Sequence, residues 1–393
     1  MSLVQPTRRA TAAELLSGLA WPIRARGTAR ARGRSIGQAL GPAIRAFLDE
    51  DVAHLDRLRP EPLGREAARR LALTFAAPIA DLLPEVMAEI EGLAEGAGIP
   101  LADALILQLR RELAAPGTGP VVAGAAQPED RSGGLEGCTT LAFTGADGRS
   151  LIAQTADLPG DMDGLGTVLD LDGDGPGGRS LAWAPLGQLG FLGLNQAGLA
   201  IGINMVVAPG WQVAPPPYLI VRHLLGLADA DAAEAAITRL PRATSRCYTL
   251  TDGTGHRMIE TTIDSCRRLD PGPGLPQARL THCNHYLHPD LAPLDRVPAW
   301  SSTRLRTARL DEIFAQSPWA EGAAGAGDAR AVLADHANAP LSICAHGRNS
   351  PRLGRTVASV ILDPAARRMD VALGTACDTP FTTHRLEDAS WNG

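Results

Sequence analysis

A chain of 393 residues with 45% hydrophobic and 20% charged side chains, and a net charge of −6 spread with both signs along its length, has the composition of a folded soluble protein. It is long enough for two or three ordinary domains or one large bipartite one. It carries no basic block with interleaved aromatics, which excludes a nucleic-acid footprint, and no lysine, which excludes Schiff-base chemistry.

The N-terminal stretch, residues 1–21, mixes Arg8, Arg9 and Glu14 with short apolar runs and lacks the apolar core and small-residue cleavage site of a secretory signal. No run approaches the roughly 18 apolar residues of a membrane span, so a cytoplasmic protein without membrane contact is expected. The six cysteines, Cys138, Cys247, Cys266, Cys283, Cys344 and Cys377, are sparse and form no CxxC pair. No disulfide framework is expected from them, and a reducing compartment is the default.

Apolar residues at helical spacing predict helices over 33–50, 63–76, 83–97 and 101–114, with Gly98 as a stop, and no strand is expected before residue 120. Residues 115–134 (APGTGPVVAGAAQPEDRSGG) lose all periodicity and read as an exposed linker. From residue 138 the pattern turns to hairpins. Residues 139–144 and 150–156 flank the turn Gly145-Ala146-Asp147-Gly148, and 191–194 and 199–205 flank Asn195-Gln196-Ala197-Gly198. Helices follow over 218–227 and 231–239, a hairpin about Asp252-Gly253, helices over 303–316 and 329–337, and a last hairpin of 356–362 and 369–373. Hairpins, helices and hairpins in that order predict an α+β layered sandwich of two antiparallel sheets with helices outside. The chain divides into a helical region 1–114, a linker 115–137 and a β-rich part 138–393.

The composition break carries the chemistry. The linker ends at Leu135-Glu136-Gly137-Cys138-Thr139-Thr140, with a strand beginning at the Gly-Cys bond. Cutting that bond would free the α-amine of Cys138. Such an amine has a pKa of about 7.7–8.0 and can take the proton of the adjacent thiol near neutral pH. Gly137 has no Cβ and tolerates the strain and close approach of thiol attack on its own carbonyl. The first hairpin places Cys138 opposite about residue 155, with Asp157 diagonally across at roughly 7–8 Å, within reach to orient an α-ammonium group. Thr140 lies two residues on, on the strand face of Cys138, where its hydroxyl could assist proton movement.

Gly-Cys-Thr-Thr at a strand start resembles the acyl-CoA:6-aminopenicillanic acid acyltransferase (isopenicillin N acyltransferase) family, peptidase family C45. The likeness extends through PEVMAEIEGLAEGAGIPLADALILQLRREL (84–113), QTADLPGD (154–161), GLNQAGLAIGINM (193–205), YLIVRHLL (218–225), THCNHYLHP (281–289), LADHANAPLSICAHG (333–347) and GRTVASVILDP (354–364). The resemblance implies the αββα sandwich of the N-terminal-nucleophile hydrolases and a precursor that cuts itself before the cysteine into two chains that stay associated. It implies Cys138 as nucleophile, Asp157 at the active site and Asn284 as the oxyanion donor. It offers Asn204 as a second asparagine of that pocket and Arg355 as the counterpart of an active-site arginine in the bile salt hydrolase branch, against the ordinary reading of a solvated strand-edge arginine. The implied reaction is hydrolysis or transfer of the acyl group of an N-acyl amino acid, peptide or β-lactam-like amide, with no cofactor or metal. Two alternatives stay open: acyl-CoA-dependent N-acyl transfer, although no phosphate-cradling loop or arginine cluster is evident for CoA, and an uncleaved binding protein of the same fold. The linker and the segment 158–180 are candidate specificity elements.

Four rival motifs are weaker. Gly33-Arg34-Ser35-Ile36-Gly37 matches a nucleophile elbow but lacks the strand before it. Asp170-Leu171-Asp172-Gly173-Asp174-Gly175 begins like a calcium loop, yet Leu181 stands where the bidentate glutamate belongs, so a solvated acidic turn is expected. His282, Cys283, His285 and His288 alternate across strand faces and make an awkward zinc tetrahedron. Cys344 and His346 share a strand face and could form a Cys-His dyad.

Overall fold

Helical periodicity in the first third produces α1 (Ala12–Leu16), α2 (Ala29–Asp49), α3 (Arg65–Leu73), α4 (Ala76–Leu82), α5 (Pro84–Ala97) and α6 (Leu101–Ala114). The computed structural model describes residues 9–59, 61–114, 137–269, 279–340, 342–347 and 354–386, so the linker 115–136 lies outside the described residues. Contrary to the sequence reading, a short strand β1 (Ile23–Ala25) sits inside this helical region. Helix α5 stops as expected at Gly98, whose φ of 65° suits a residue without Cβ.

The rest of the described chain is β2 (Gly137–Thr144), β3 (Ser150–Pro159), β4 (Gly166–Leu171), β5 (Ser180–Pro185), β6 (Leu192–Asn195), β7 (Ala200–Met205), α7 (Pro217–Leu224), α8 (Ala230–Arg239), β8 (Arg246–Thr251), β9 (His256–Thr261), β10 (Cys266–Leu269), β11 (Arg279–His282), α9 (Thr303–Phe314), α10 (Ala326–Leu333), β12 (Gly354–Asp363), β13 (Arg368–Ala372) and β14 (Thr382–Arg385). One sheet runs β1-β4-β5-β6-β7-β8-β9-β10 and the other β11-β2-β3-β12-β13-β14. All pairs are antiparallel except β1 with β4.

Strand alternation divides the six-stranded sheet into two faces. Cys138, Ala142, Ile152 and Ala156 join the large core shared with Ile201 and Ile203 of the facing sheet. Leu141, Phe143, Leu151 and Ala153 join a separate core with Leu310 and Phe314 of α9 and Val332 and Leu333 of α10. The layers are therefore helix, sheet, sheet, helix, the αββα sandwich.

The segment 158–180 is not one continuous loop: β3 runs through Pro159, and 166–171 form β4, the second of the eight strands, with irregular chain over 172–179. The acidic turn is solvated at its tip, where Asp174 and Gly175 are exposed, but not at its start. Asp170 is buried and bonded to Arg26 and Arg179, Asp172 accepts from the Gly27 N–H, and Asp174 pairs with Arg32. Arginine takes the place of a cation there.

Ser35 lies in mid-helix with its hydroxyl on the Ala31 carbonyl, so the elbow motif is a helix surface. Its glycines have another use. Gly33 and Gly37 on α2 meet Gly92 and Gly96 on α5, and a Cβ built at Gly92 would lie 2.0 Å from the Arg30 carbonyl oxygen. That neighbour is backbone and cannot swing away. Gly92→Ala is expected to force the helices apart at a cost of about 1–3 kcal/mol, read as a lowered urea midpoint; an unchanged midpoint would show that the contact carries no stability.

The helical region is sewn to the later chain. Besides β1 on β4, buried Glu89 of α5 is gripped by Arg32 of α2 and, at 2.6 and 2.8 Å, by Arg222 of α7. Gln108 of α6 donates to the Gly187 carbonyl and accepts from the Leu189 N–H.

Candidate active site

The head of β2 is held from three sides. In its register Cys138 faces Ala156 and Gly137 faces Asp157, one residue off the sequence estimate, because the loop 145–149 has an odd number of residues and centres on Asp147. The shift matters: Asp157 shares the face of Gly137 and Thr139, while Cys138 shares the opposite, inter-sheet face with Thr140 and Gln154. Asp157 is thus placed against the backbone of the Gly-Cys junction, with its face turned away from the Cys138 side chain. A Cβ at Gly137 would stand 3.1 Å from Asp157 Oδ2 and 3.6 Å from a terminal nitrogen of Arg306, a fit that would make the carboxylate give way slightly.

Cys138 is buried at 1% exposure. Its N–H donates to Asn284 Oδ1 at 3.1 Å. Its carbonyl accepts from Asn204 Nδ2 at 3.2 Å and from Arg306 at 2.7 Å. Arg306, one turn into α9, also donates to Thr139 Oγ1 and, at 2.6 Å, to Asn284 Oδ1. Thr303, at the start of the same helix and three residues earlier, accepts from the Asn284 N–H at 2.7 Å. Residues i and i+3 on one helix face thereby fix both the asparagine and the strand head. Arg306 and Thr303 escaped the sequence reading, as did Thr356, whose hydroxyl donates to Asp157 Oδ1 at 2.6 Å. Burial holds the Asp157 carboxyl above its ordinary range, against the Arg306 guanidinium and the hydroxyls of Thr356 and Thr155.

Asn284 reaches Cys138 through its carbonyl oxygen, while its amide nitrogen donates to the Met205 carbonyl. An amide NH2 carries two hydrogens, so one donor beyond that bond is left to it. Asn204 spends its two on the carbonyls of Cys138 and His282. The buried Thr140 hydroxyl has no hydrogen-bond partner among the described residues and makes no bond to the thiol. Gln154 faces Thr140 and clips the Ile203 peptide of β7 through both ends of its amide. Arg355 is not a solvated edge residue. It is 4% exposed, on β12 inside the sheet, opposite Leu158 on the Cys138 face, and its Nε lies 2.7 Å from Asp163 Oδ2. One of its terminal nitrogens is buried without a hydrogen-bond partner among the described residues.

The His282 group is an ion pair in a protein interior. His282 Nε2 lies 2.8 Å from Glu260, and Nδ1 lies 2.8 Å from the Cys283 carbonyl oxygen. Glu260 also accepts from the N–H groups of Leu287 and His288. Burial works against the charged imidazole, but Cys247 and Glu260 beside it outweigh that and hold it well above the usual range. With both ring nitrogens engaged and His285 on Thr303, this segment offers no metal tetrahedron. Among the described residues no helix is long and apolar enough to cross a membrane.

A family model described as acyl-coenzyme A:6-aminopenicillanic acid acyl-transferase matches residues 149–377. No curated protein matches the chain. Among solved structures, it is similar to penicillin V acylase from Agrobacterium tumefaciens, at 12% identity over 63% of this chain and 86% of that one, with a TM-score of 0.35. It is also similar to a variant of conjugated bile acid hydrolase from Clostridium perfringens, at 11% identity over 64% of this chain and 97% of that one, with a TM-score of 0.41.

Proposed function

The chain belongs to the acyl-coenzyme A:6-aminopenicillanic acid acyl-transferase family, and from that premise we propose that it is a self-cleaving amidohydrolase or acyltransferase with Cys138 as nucleophile. The observation that carries this reading is the grip on one residue: the N–H of Cys138 on Asn284, its carbonyl on Asn204 and Arg306, and Asp157 against the glycine before it. Any buried strand residue needs partners for its N–H and C=O; here those partners are side chains, Asn284, Asn204 and Arg306, converging on the one junction where a thiol follows a glycine.

In the proposed maturation the Cys138 thiol attacks the Gly137 carbonyl carbon, its proton passes to the departing amide nitrogen, and a thioester replaces the peptide bond. Water then hydrolyses the thioester, leaving chains 1–137 and 138–393. The freed amine keeps Asn284 Oδ1 as acceptor and lies on the Asp157 side of the strand, where an ammonium would draw that carboxyl down and leave it ionised. For turnover the amine takes the thiol proton, the thiolate attacks a substrate carbonyl, and the amine returns the proton to the leaving nitrogen. Water or a second amine releases the acyl group. The remaining amide hydrogen of Asn284 is the side-chain donor for the oxyanion. The buried, incompletely bonded guanidinium of Arg355 on the Cys138 face favours a substrate with a carboxylate, such as an N-acyl amino acid or a β-lactam amide.

Intact-mass analysis of the purified wild type tests the first step. Two chains, the larger beginning at Cys138, are expected; a persistent 41.1 kDa chain that nonetheless cleaves amides would remove Cys138 from its role.

A further inference from the structure

Away from the strand head, four side chains converge between the segment after α10 and the turn between β13 and β14. His336 Nε2 and His346 Nε2 lie 2.9 Å apart, and Cys344 Sγ and Cys377 Sγ 3.7 Å apart. His346 Nε2 is 3.5 Å from Cys344 Sγ and 3.4 Å from Cys377 Sγ. All four atoms fall within 4.8 Å of one another. A single imidazole nitrogen has one hydrogen or one lone pair to offer. Three simultaneous close neighbours around His346 Nε2 exceed what hydrogen bonding can satisfy, whereas a shared cation accounts for them all.

The edges have the right lengths for a particular ion. With Zn–S near 2.3 Å and Zn–N near 2.0–2.1 Å, a regular tetrahedron has edges of about 3.8 Å between sulfurs, about 3.6 Å between sulfur and nitrogen and about 3.3 Å between nitrogens. The S–S edge and the two S–N edges at His346 fall within about 0.2 Å of these and the N–N edge within about 0.5 Å, while the edges from His336 to the sulfurs are bounded by 4.8 Å. We propose that His336, Cys344, His346 and Cys377 bind one zinc ion in a closed, structural Cys2His2 site. The sequence reading expected no metal and saw only the pair Cys344 and His346, which it weighed as a dyad.

On binding, the two thiols each lose a proton to solvent and form Zn–S bonds, and the two neutral imidazoles each give a lone pair. Four ligands close the coordination shell, so the ion has a holding task and no open position for water. What it holds is visible in the hydrogen bonds. The Cys344 N–H donates to the Asp335 carbonyl, the Ala345 N–H to Thr356 Oγ1, and the Thr356 N–H to the Ala345 carbonyl. Thr356 is the residue whose hydroxyl meets Asp157. The zinc would therefore fasten the loop that backs the Asp157 side of the strand head.

Metal analysis of the full chain, purified under reducing conditions from zinc-supplemented cells, is expected to give one zinc per chain. Cobalt exchanged into the site is expected to show thiolate-to-metal charge-transfer and tetrahedral d–d bands. Cys377→Ser, at an exposed ligand, should lose the metal or its second thiolate band while the chain still folds by circular dichroism, and C138A should keep both, which separates this site from the catalytic reading. Wild-type protein with less than a tenth of an equivalent of zinc and no cobalt–thiolate bands, or with Cys344 and Cys377 recovered as a disulfide, would overturn the assignment.

Discussion

Cys138→Ala is expected to remain a single uncut chain and to lose turnover by at least about 10⁴-fold, since removing a nucleophile leaves only the contribution of binding and oxyanion donors. The fold should survive, because the thiol lies in the shared core and alanine removes one sulfur from it. That separates chemistry from stability: unfolding midpoints near wild type with abolished cleavage locate the effect at the sulfur. Cys138→Ser keeps a weaker nucleophile at the same place and should cut slowly over hours. Mature mass and normal turnover from the alanine variant would end the case for Cys138.

Arg306 carries the second large effect, and it acts through its neighbours. It is 2% exposed and bonds the Cys138 carbonyl, Thr139 and Asn284 at once, while its charge faces buried Asp157. Arg306→Ala removes the cation that opposes the burial of Asp157 and leaves three acceptors short of a donor. A loss of about 3–5 kcal/mol is expected, as for breaking a buried charge pair, read by urea unfolding of the uncut C138A background so that processing does not interfere. Arg306→Lys keeps the charge but not the planar fork that spans three acceptors. Its chain should fold yet process and turn over at least about tenfold more slowly, because Asn284 and the Cys138 nitrogen lose their common anchor. Wild-type processing by the lysine variant would reduce Arg306 to a charge-balancing residue.

Periodicity made the long elements legible. Helices α2, α5, α6, α7, α8 and α9 and four hairpins sit where apolar spacing and turn residues put them. Short edge pieces escaped, since β1, β10 and β14 have three or four residues each, too few to show a period, and so did β4 and β5, six residues each, which are buried on both faces and lack the alternation of a half-exposed strand. The Gly-Cys junction was legible because a composition break and a nucleophile coincide there. Its partners were legible only where a motif marked them. Arg306 is one of many arginines in a chain without lysine, so nothing local distinguishes it, and only the packing of α9 on the sheet shows its three bonds. The register of β2 on β3 turned on one residue of loop length, which the turn signal alone does not fix. The His336 and Cys377 ligands are 41 residues apart and come together through the β12–β13 connection, a separation no local pattern encodes.

The seam between the first 114 residues and the rest, with β1 in the sheet and Glu89 caught between Arg32 and Arg222, has a consequence for molecularity. As a precursor the two halves meet by an intramolecular search with a fixed effective concentration. If the bond before Cys138 is cut as proposed, the same interface would join two separate polymers, and the stability of the native state would depend on how much of each is present. Maturation would then be a one-way door in folding as well as in chemistry: the cut molecule persists by not letting go, and dilution after denaturation would work against its return.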